Sequence, residues 1–363
     1  MQAKGNLSQL SLIHDGPIEN GASNNVFKIT IDEKLSNIIF KTESSLISLN
    51  NHLLQSVVLA NGGLFDAVSS LCSIFLLQNF EITYRIGNIF RKFLLKYETS
   101  SQISQSIVII ANFRSSLRNV FNCKRCVSYT FSLDMSKCVC LNDGFDIIDS
   151  TYLTCSLPSW MEEIIDTSSY VITYRFRMKL LYSAIVLEDI LKLLRSNEKD
   201  HFFRLLRFHE LYLHRYEMYH FVQSLRAFSE QLIKTQLDGF QHTLKNICQF
   251  DNIKDVHKDF VEFSQGCWII RNSISVQENS FSIAVSSICK LILEYWKSIV
   301  ALFTNKHDDQ TLNLESINRT YLIFKKRLHT FLSALRVFIV KLPGSPMESL
   351  LLTLDFNGFY SKH

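Results

Sequence analysis

Residues 201–236 read HFFRLLRFHELYLHRYEMYHFVQSLRAFSEQLIKTQ, with no glycine and no proline. Leu206, Leu213, Met218, Phe221, Leu225, Phe228 and Leu232 recur at the steps of a single helical stripe. Phe202, Phe203, Leu205, Phe208, Tyr212 and Tyr219 widen that stripe over most of the circumference. A helix apolar nearly all round is enclosed by other helices rather than laid on a surface. The stretch therefore reads as the central helix of a large helical domain, about 50 Å long if continuous.

The composition agrees with that reading. Of 363 residues, 47% are hydrophobic and 20% charged, the balance of a globular chain rather than a disordered one. Eleven glycines and four prolines suit a helix-rich protein. A formal charge of +4 is too weak for nucleic acid to be the expected partner. No apolar run reaches the eighteen or so residues that span a bilayer, and the first sixteen residues, MQAKGNLSQLSLIHDG, contain no secretory apolar core. Nine cysteines without a secretion signal read as reduced thiols, so no membrane is expected and the compartment is cytoplasmic or nuclear.

Outward from the central stretch, the expected fold is all-α, with a flexible segment over 1–30, one helical domain over 31–363 and a weak internal boundary near 120–145. Tyr170 to Arg195 carries Tyr174, Met178, Leu181, Ile185 and Leu191 at helical steps. Phe281–Phe303 and Leu314–Val340 are further long helices, and Asp238-Gly239 marks a kink or an end of the central one. One stretch differs in character. Val127 to Leu133 alternates with period two, predicting a strand that pairs with Cys138–Leu141 in a small β-ribbon near 127–141.

Side chains with chemistry are few. Cys123, Cys126, Cys138 and Cys140 fall within eighteen residues, and four thiolates can close a tetrahedral zinc site. The second pair has one intervening residue where zinc knuckles have two or more, which favours simple strand positions. His220 and His257 sit in helical apolar text and suit hydrogen-bonded structural roles. His307-Asp308 is one common dipeptide in a polar loop. Glu210 and Glu217 interrupt the basic run of Arg204, Arg207, His209, His214 and Arg215, leaving a solvated flank. No phosphate-binding loop, dinucleotide fingerprint or hydrolase motif is present, and no cofactor and no catalysis are expected.

Several strings, in order, carry a resemblance. His214-Arg215-Tyr216-Glu217-Met218-Tyr219-His220-Phe221, followed by Leu225 and Phe228, resembles the "LRxxMxHFxxxLxxY" segment of gamma-tubulin complex components. Asp255-Val256-His257-Lys258-Asp259-Phe260 resembles that family's "DxxxxHxxFL", with Cys267 near its usual cysteine. The string from Gly144-Phe145-Asp146 to Pro158 is similar to "GWDxxxLxYxVxxPLxxII", with Phe145 for the tryptophan. Tyr170 onward looks like the "YxxIFxxLLxxKxxExxL" helix, and Phe75–Phe80 resembles a shortened "FLLxxGDF". The ending, Leu350 to Tyr360, resembles "LxxxLDFNxFY" and is the most specific of these matches.

The resemblance covers the C-terminal half of such a component and implies a helical bundle that grips gamma-tubulin. Its implied partners are gamma-tubulin and other gamma-tubulin complex components, arranged so that several weak tubulin contacts template a microtubule minus end. The implied place is cytoplasm and cytoskeleton, at a microtubule organizing centre such as a centrosome or spindle pole. The family's N-terminal half has no counterpart here, so the chain reads as a fragment or a divergent short form. Folded tubulin calls for a broad polar face. The expected contacts are Asp251, Lys254, Asp255, His257 and Lys258, with Asp355, Phe356 and Asn357 at the end of the chain. Asp355 and Asn357 equally suit capping and anchoring that end. Two rivals stay open: a helical tethering or adaptor protein unrelated to tubulin, and a zinc-dependent enzyme using the cysteine segment.

Overall fold

The computed structural model describes residues 35–46, 48–49, 52, 63–99, 103–121, 130–134, 143–197, 208–245, 252–264, 276–304, 310–356, 358 and 360. The chain divides into two compact units, Met1–Leu54 and Gln55–His363. In the first, residues 35–46 form helix α1. The flexible segment expected over 1–30 lies outside the described residues, as do Cys123, Cys126, Cys138, Cys140, His307 and Asp308.

The second unit is all-α with one small ribbon. Helix α2 (Leu64–Phe75) is followed by α3, which runs from Phe80–Ile89 through a π-helical turn, Phe90–Leu94, into Leu95–Glu98. Then come α4 (Ile103–Phe121), β1 (Thr130–Asp134), α5 (Gly144–Ser150), β2 (Tyr152–Ser156) and the single turn α6 (Ser159–Glu162). The long helices are α7 (Ser168–Asn197), α8 (Phe208–Lys245), α10 (Val276–Thr304) and α11 (Gln310–Lys341). Between and after them lie α9 (Asn252–Ser264) and α12 (Met347–Leu354).

The enclosed helix is α7, not the stretch from 201 to 236. It packs on α8 and α10 and also touches α2, α3, α5, α9 and β2. Every residue from Leu180 to Leu187 except the Leu181 edge is at most 2% exposed, so no side of that segment meets water. Helix α8 is longer, about 57 Å, but keeps a wet flank: Leu213 of the expected stripe is 51% exposed, and Tyr216 near it 66%. Met218, Phe221, Leu225, Phe228 and Leu232 of its stripe are buried as expected. The helix also passes straight through Asp238-Gly239. Glycine there costs about 1 kcal/mol of helix propensity, which the burial of Phe240 and Leu244 beyond it outweighs.

The ribbon forms; the expected second strand, Cys138–Leu141, lies outside the described residues. Strand β1 pairs antiparallel with β2, Phe131 opposite Cys155 and Leu133 opposite Leu153. That register turns Phe131, Leu133 and Leu153 inward, while Ser132 and Thr154 join hydroxyls at 2.7 Å outside. Phe131 meets Phe75 of α2 with ring centroids 5.8 Å apart. A two-stranded ribbon is marginal alone, and this one leans on the helices.

One carboxylate ties the frame together. Glu98, whose side chain is 1% exposed, pairs with Lys297 Nζ of α10 at 2.7 Å. It also accepts from the Gly144 backbone N–H of α5 at 2.5 Å and from the Tyr182 hydroxyl of α7 at 3.2 Å. Gly144 must be glycine, because a Cβ there would lie 2.8 Å from the Tyr182 ring. Phe145 next to it is buried edge-on against that ring at 5.4 Å. The Gly-Phe-Asp string is thus a docking device for α5.

Candidate partner-binding surface

The start of α7 and the length of α9 lie side by side. Asp166 caps α7, accepting from the Ser168 N–H at 3.0 Å and from the Ser168 and Ser169 hydroxyls at 2.6 Å. Burial would raise the Asp166 carboxyl, and the hydrogen bonds from Ser168 and Ser169 more than offset it, holding it below the usual carboxylate range. One turn into α7, Tyr170 meets His257 Nε2 of α9 at 3.0 Å. His257 is 2% exposed and lies against Phe240 and Phe260. Its burial pushes the imidazole down to about 4, partly countered by Asp166, so the ring is neutral at pH 7.

His257 is therefore a floor, and its neighbours form the walls. An open groove of about 580 Å³ is lined by Asp166, Ser168, Ser169, Lys254, Asp255, Lys258 and Glu262 around His257, Ile164, Ile172 and Val261. Lys254 and Asp255 are exposed and make no ion pair among the described residues. Lys258 is 71% exposed at its side chain and stands 4.0 Å from Glu262. The groove presents cations and carboxylates of both signs on a rigid two-helix base. Asp251 lies outside the described residues.

The closing segment is built differently. Asp355 has 5% of its side chain exposed; Oδ2 pairs with Arg336 of α11 at 2.5 Å, and Oδ1 accepts from the Tyr360 N–H at 2.9 Å. The Tyr360 hydroxyl donates to Glu217 of α8 at 2.6 Å, and the Tyr321 hydroxyl of α11 donates to the other oxygen of Glu217. Asp355 is thus engaged inside the molecule. Phe356 beside it is 83% exposed, with Leu352 at 68%. Asn357 lies outside the described residues.

The two expected contact regions do not converge. The closing segment meets α8 at Glu217 and α9 meets it at Phe240, roughly 35 Å apart along the helix. His220 is roughly 30 Å along α8 from Phe240 and so is no partner for His257. Of the basic run, Arg215 turns inward, donating from Nε to the Leu187 carbonyl at 3.1 Å and covering the Tyr219 ring at 4.3 Å. His214 stacks on Tyr321 with centroids 3.5 Å apart. Asp166, Ser168, Ser169 and Glu262 belong to the groove and were not among the expected residues. The Asp-x-Ser-Ser string before a helix is a capping signal, yet no local pattern links it to a segment ninety positions later. Among the described residues no three His, Cys, Asp or Glu side chains are grouped to hold a metal ion, and no helix is long and apolar enough to cross a membrane.

No curated protein matches the chain. A family model described as gamma tubulin complex component C-terminal matches residues 94–360. That span opens at the last residue of the π-helical turn, just before Glu98, and closes on Tyr360. It takes in both contact regions and well over half of the 363 residues. The chain belongs to the gamma-tubulin complex component family, and the matched span is that family's C-terminal region.

Proposed function

We propose that this chain is a non-enzymatic scaffold that binds gamma-tubulin, and that the groove between α7 and α9 forms part of the face gamma-tubulin covers. The observation that carries the placement is the pairing of exposed charges at Lys254, Asp255 and Lys258, the first two in no ion pair among the described residues, with the buried His257 ring, backed by Phe240 and Phe260. Mixed charge on a stiff frame steers and registers a folded partner without a sticky apolar patch on the free protein. Phe356 and Leu352 are exposed groups of the closing segment. In this reading the protein works beside other gamma-tubulin complex components in nucleating microtubules at minus ends. Its place is the cytoplasmic cytoskeleton at a microtubule organizing centre, whether centrosome or spindle pole.

Binding to purified gamma-tubulin, measured by pull-down and by sedimentation, tests this. The parent chain should bind one to one, and Lys254→Glu with Lys258→Glu should weaken binding at least tenfold without altering the melting point. A folded double variant that binds like the parent rules out the groove. A parent chain that does not bind rules out the function.

A further inference from the structure

A second charged site lies in the interior and faces no partner helix end. Arg177 of α7 is 9% exposed, and its one hydrogen bond among the described residues runs from Nη1 to Ser229 Oγ of α8 at 3.2 Å. A guanidinium has five N–H donors, and a buried cation without a counter-ion costs several kcal/mol. No carboxylate lies within ion-pairing distance of it among the described residues; exposed Glu230 acts on it only at longer range. Arg226, one turn before Ser229, adds a second guanidinium, whose one hydrogen bond among the described residues is to Gln223 at 3.4 Å.

Both arginines line one small cavity of about 10 Å³ with Ser229, Thr83, Leu77, Leu180 and Leu181. The third wall is the turn between α2 and α3. There Leu77 holds a positive φ of 50°, and the Thr83 hydroxyl closes the turn by donating to the Leu77 carbonyl at 3.1 Å. Gln78, next along, has a buried Nε2 with no acceptor. Like charges from α7 and α8, closed in by the α2–α3 turn around a space the size of one water, make a site for negative charge. A tetrahedral phosphate or a nucleotide is too large for it.

We propose that this cavity binds one halide ion between Arg177 and Arg226. The anion supplies the missing counter-charge and staples the α2–α3 turn to α7 and α8. Burial lowers the Arg177 guanidinium to about 10, opposed by Glu230 and reinforced by Arg226, so it stays cationic at neutral pH.

The test uses the full chain at fixed ionic strength, with isethionate or acetate, both too large to enter, exchanged stepwise for chloride. The melting point should rise saturably by about 1–3 °C. In Arg177→Met the saturable rise should vanish, while Arg85→Met on the exposed surface should keep it. Without chloride, Arg177→Met should melt at or above the parent, because an unpaired buried charge has been removed. Crystals soaked in bromide should show an anomalous peak between the two guanidinium groups. A saturable rise with chloride plus a bromide peak supports the halide. No saturable rise with chloride, or an equal rise in Arg177→Met, overturns the proposal and leaves the cavity to water.

Discussion

The two ends of α8 receive charged neighbours in opposite ways. Near Glu217, the carboxylates are consumed: Glu217 by two tyrosine hydroxyls and Asp355 by Arg336 and the Tyr360 N–H. Near Phe240, a histidine is buried neutral and the charges of α9 are left in water. Both regions came to notice through equally polar strings. The difference teaches that a polar string marks an interface only where its charges have no obligations inside the fold. At the Glu217 end they fasten the chain; at the Phe240 end they are spare.

Four measurements bear on that contrast, and the largest effect falls at the wired end. Arg336→Met removes the cation paired with the buried Asp355 carboxylate and should cost about 3–5 kcal/mol in denaturant unfolding. A loss below about 1 kcal/mol would mean that Asp355 is as free as Lys254 and would erase the distinction. The next effect is a pH dependence at the other end. His257 takes a proton near 6.5 when unfolded and near 4 when folded. Its contribution is fully present above pH 6.5 and lost as pH falls toward 4, since the unfolded chain takes up the proton first. The loss is at most about 3 kcal/mol for that span. His214, also lowered to about 4 by burial, and the carboxylates titrate nearby, so the difference between parent and His257→Gln isolates the slope. Parallel acid limbs for the two proteins would show that His257 is not buried neutral.

Smaller again is Tyr360→Phe, which removes one hydrogen bond to a carboxylate that Tyr321 still satisfies. A loss of about 1–2 kcal/mol is expected in thermal unfolding, and an unchanged midpoint would mean the chain end is not fastened at Glu217. The smallest stability effect belongs to Lys254→Glu with Lys258→Glu, within about 0.5 kcal/mol of the parent. A larger loss would place those lysines in the structural class and remove them from the contact face.

Much of the frame was legible because helix periodicity is a local signal. Met178, Ile185 and Phe221 fall on buried faces, where their spacing put them. What failed was non-local. Leu153, the inward apolar partner of Leu133, lies across a whole intervening helix and was not anticipated. The stretch from 201 to 236 looked enclosed because its apolar residues, Leu213 among them, cover most of the circumference, but enclosure depends on which helices arrive, and they surround α7. Gly144 was read through its resemblance, whereas its physical reason, the Tyr182 ring, lies nearly forty positions away. At the groove, Lys254, Asp255 and Lys258 were legible as a charged turn. Asp166 and Ser168 were not, since they join it only through the packing of α7 on α9. Arg177 gave no signal at all, being one more basic residue in a helix until its surroundings are known.

Glu98 carries a further consequence for how the molecule breathes. Its three partners sit on α5, α7 and α10, and the last of them, Lys297, is nearly two hundred positions along the chain. Helical proteins usually shed their outer elements piecemeal, each with its own opening free energy. Here no one of those elements can swing away without exposing a desolvated carboxylate to the loss of a donor. Amide hydrogens in α5, a helix of seven residues that would fray within microseconds alone, should therefore exchange on the same slow schedule as those in the middle of α7. The shortest piece of the frame inherits the lifetime of the longest.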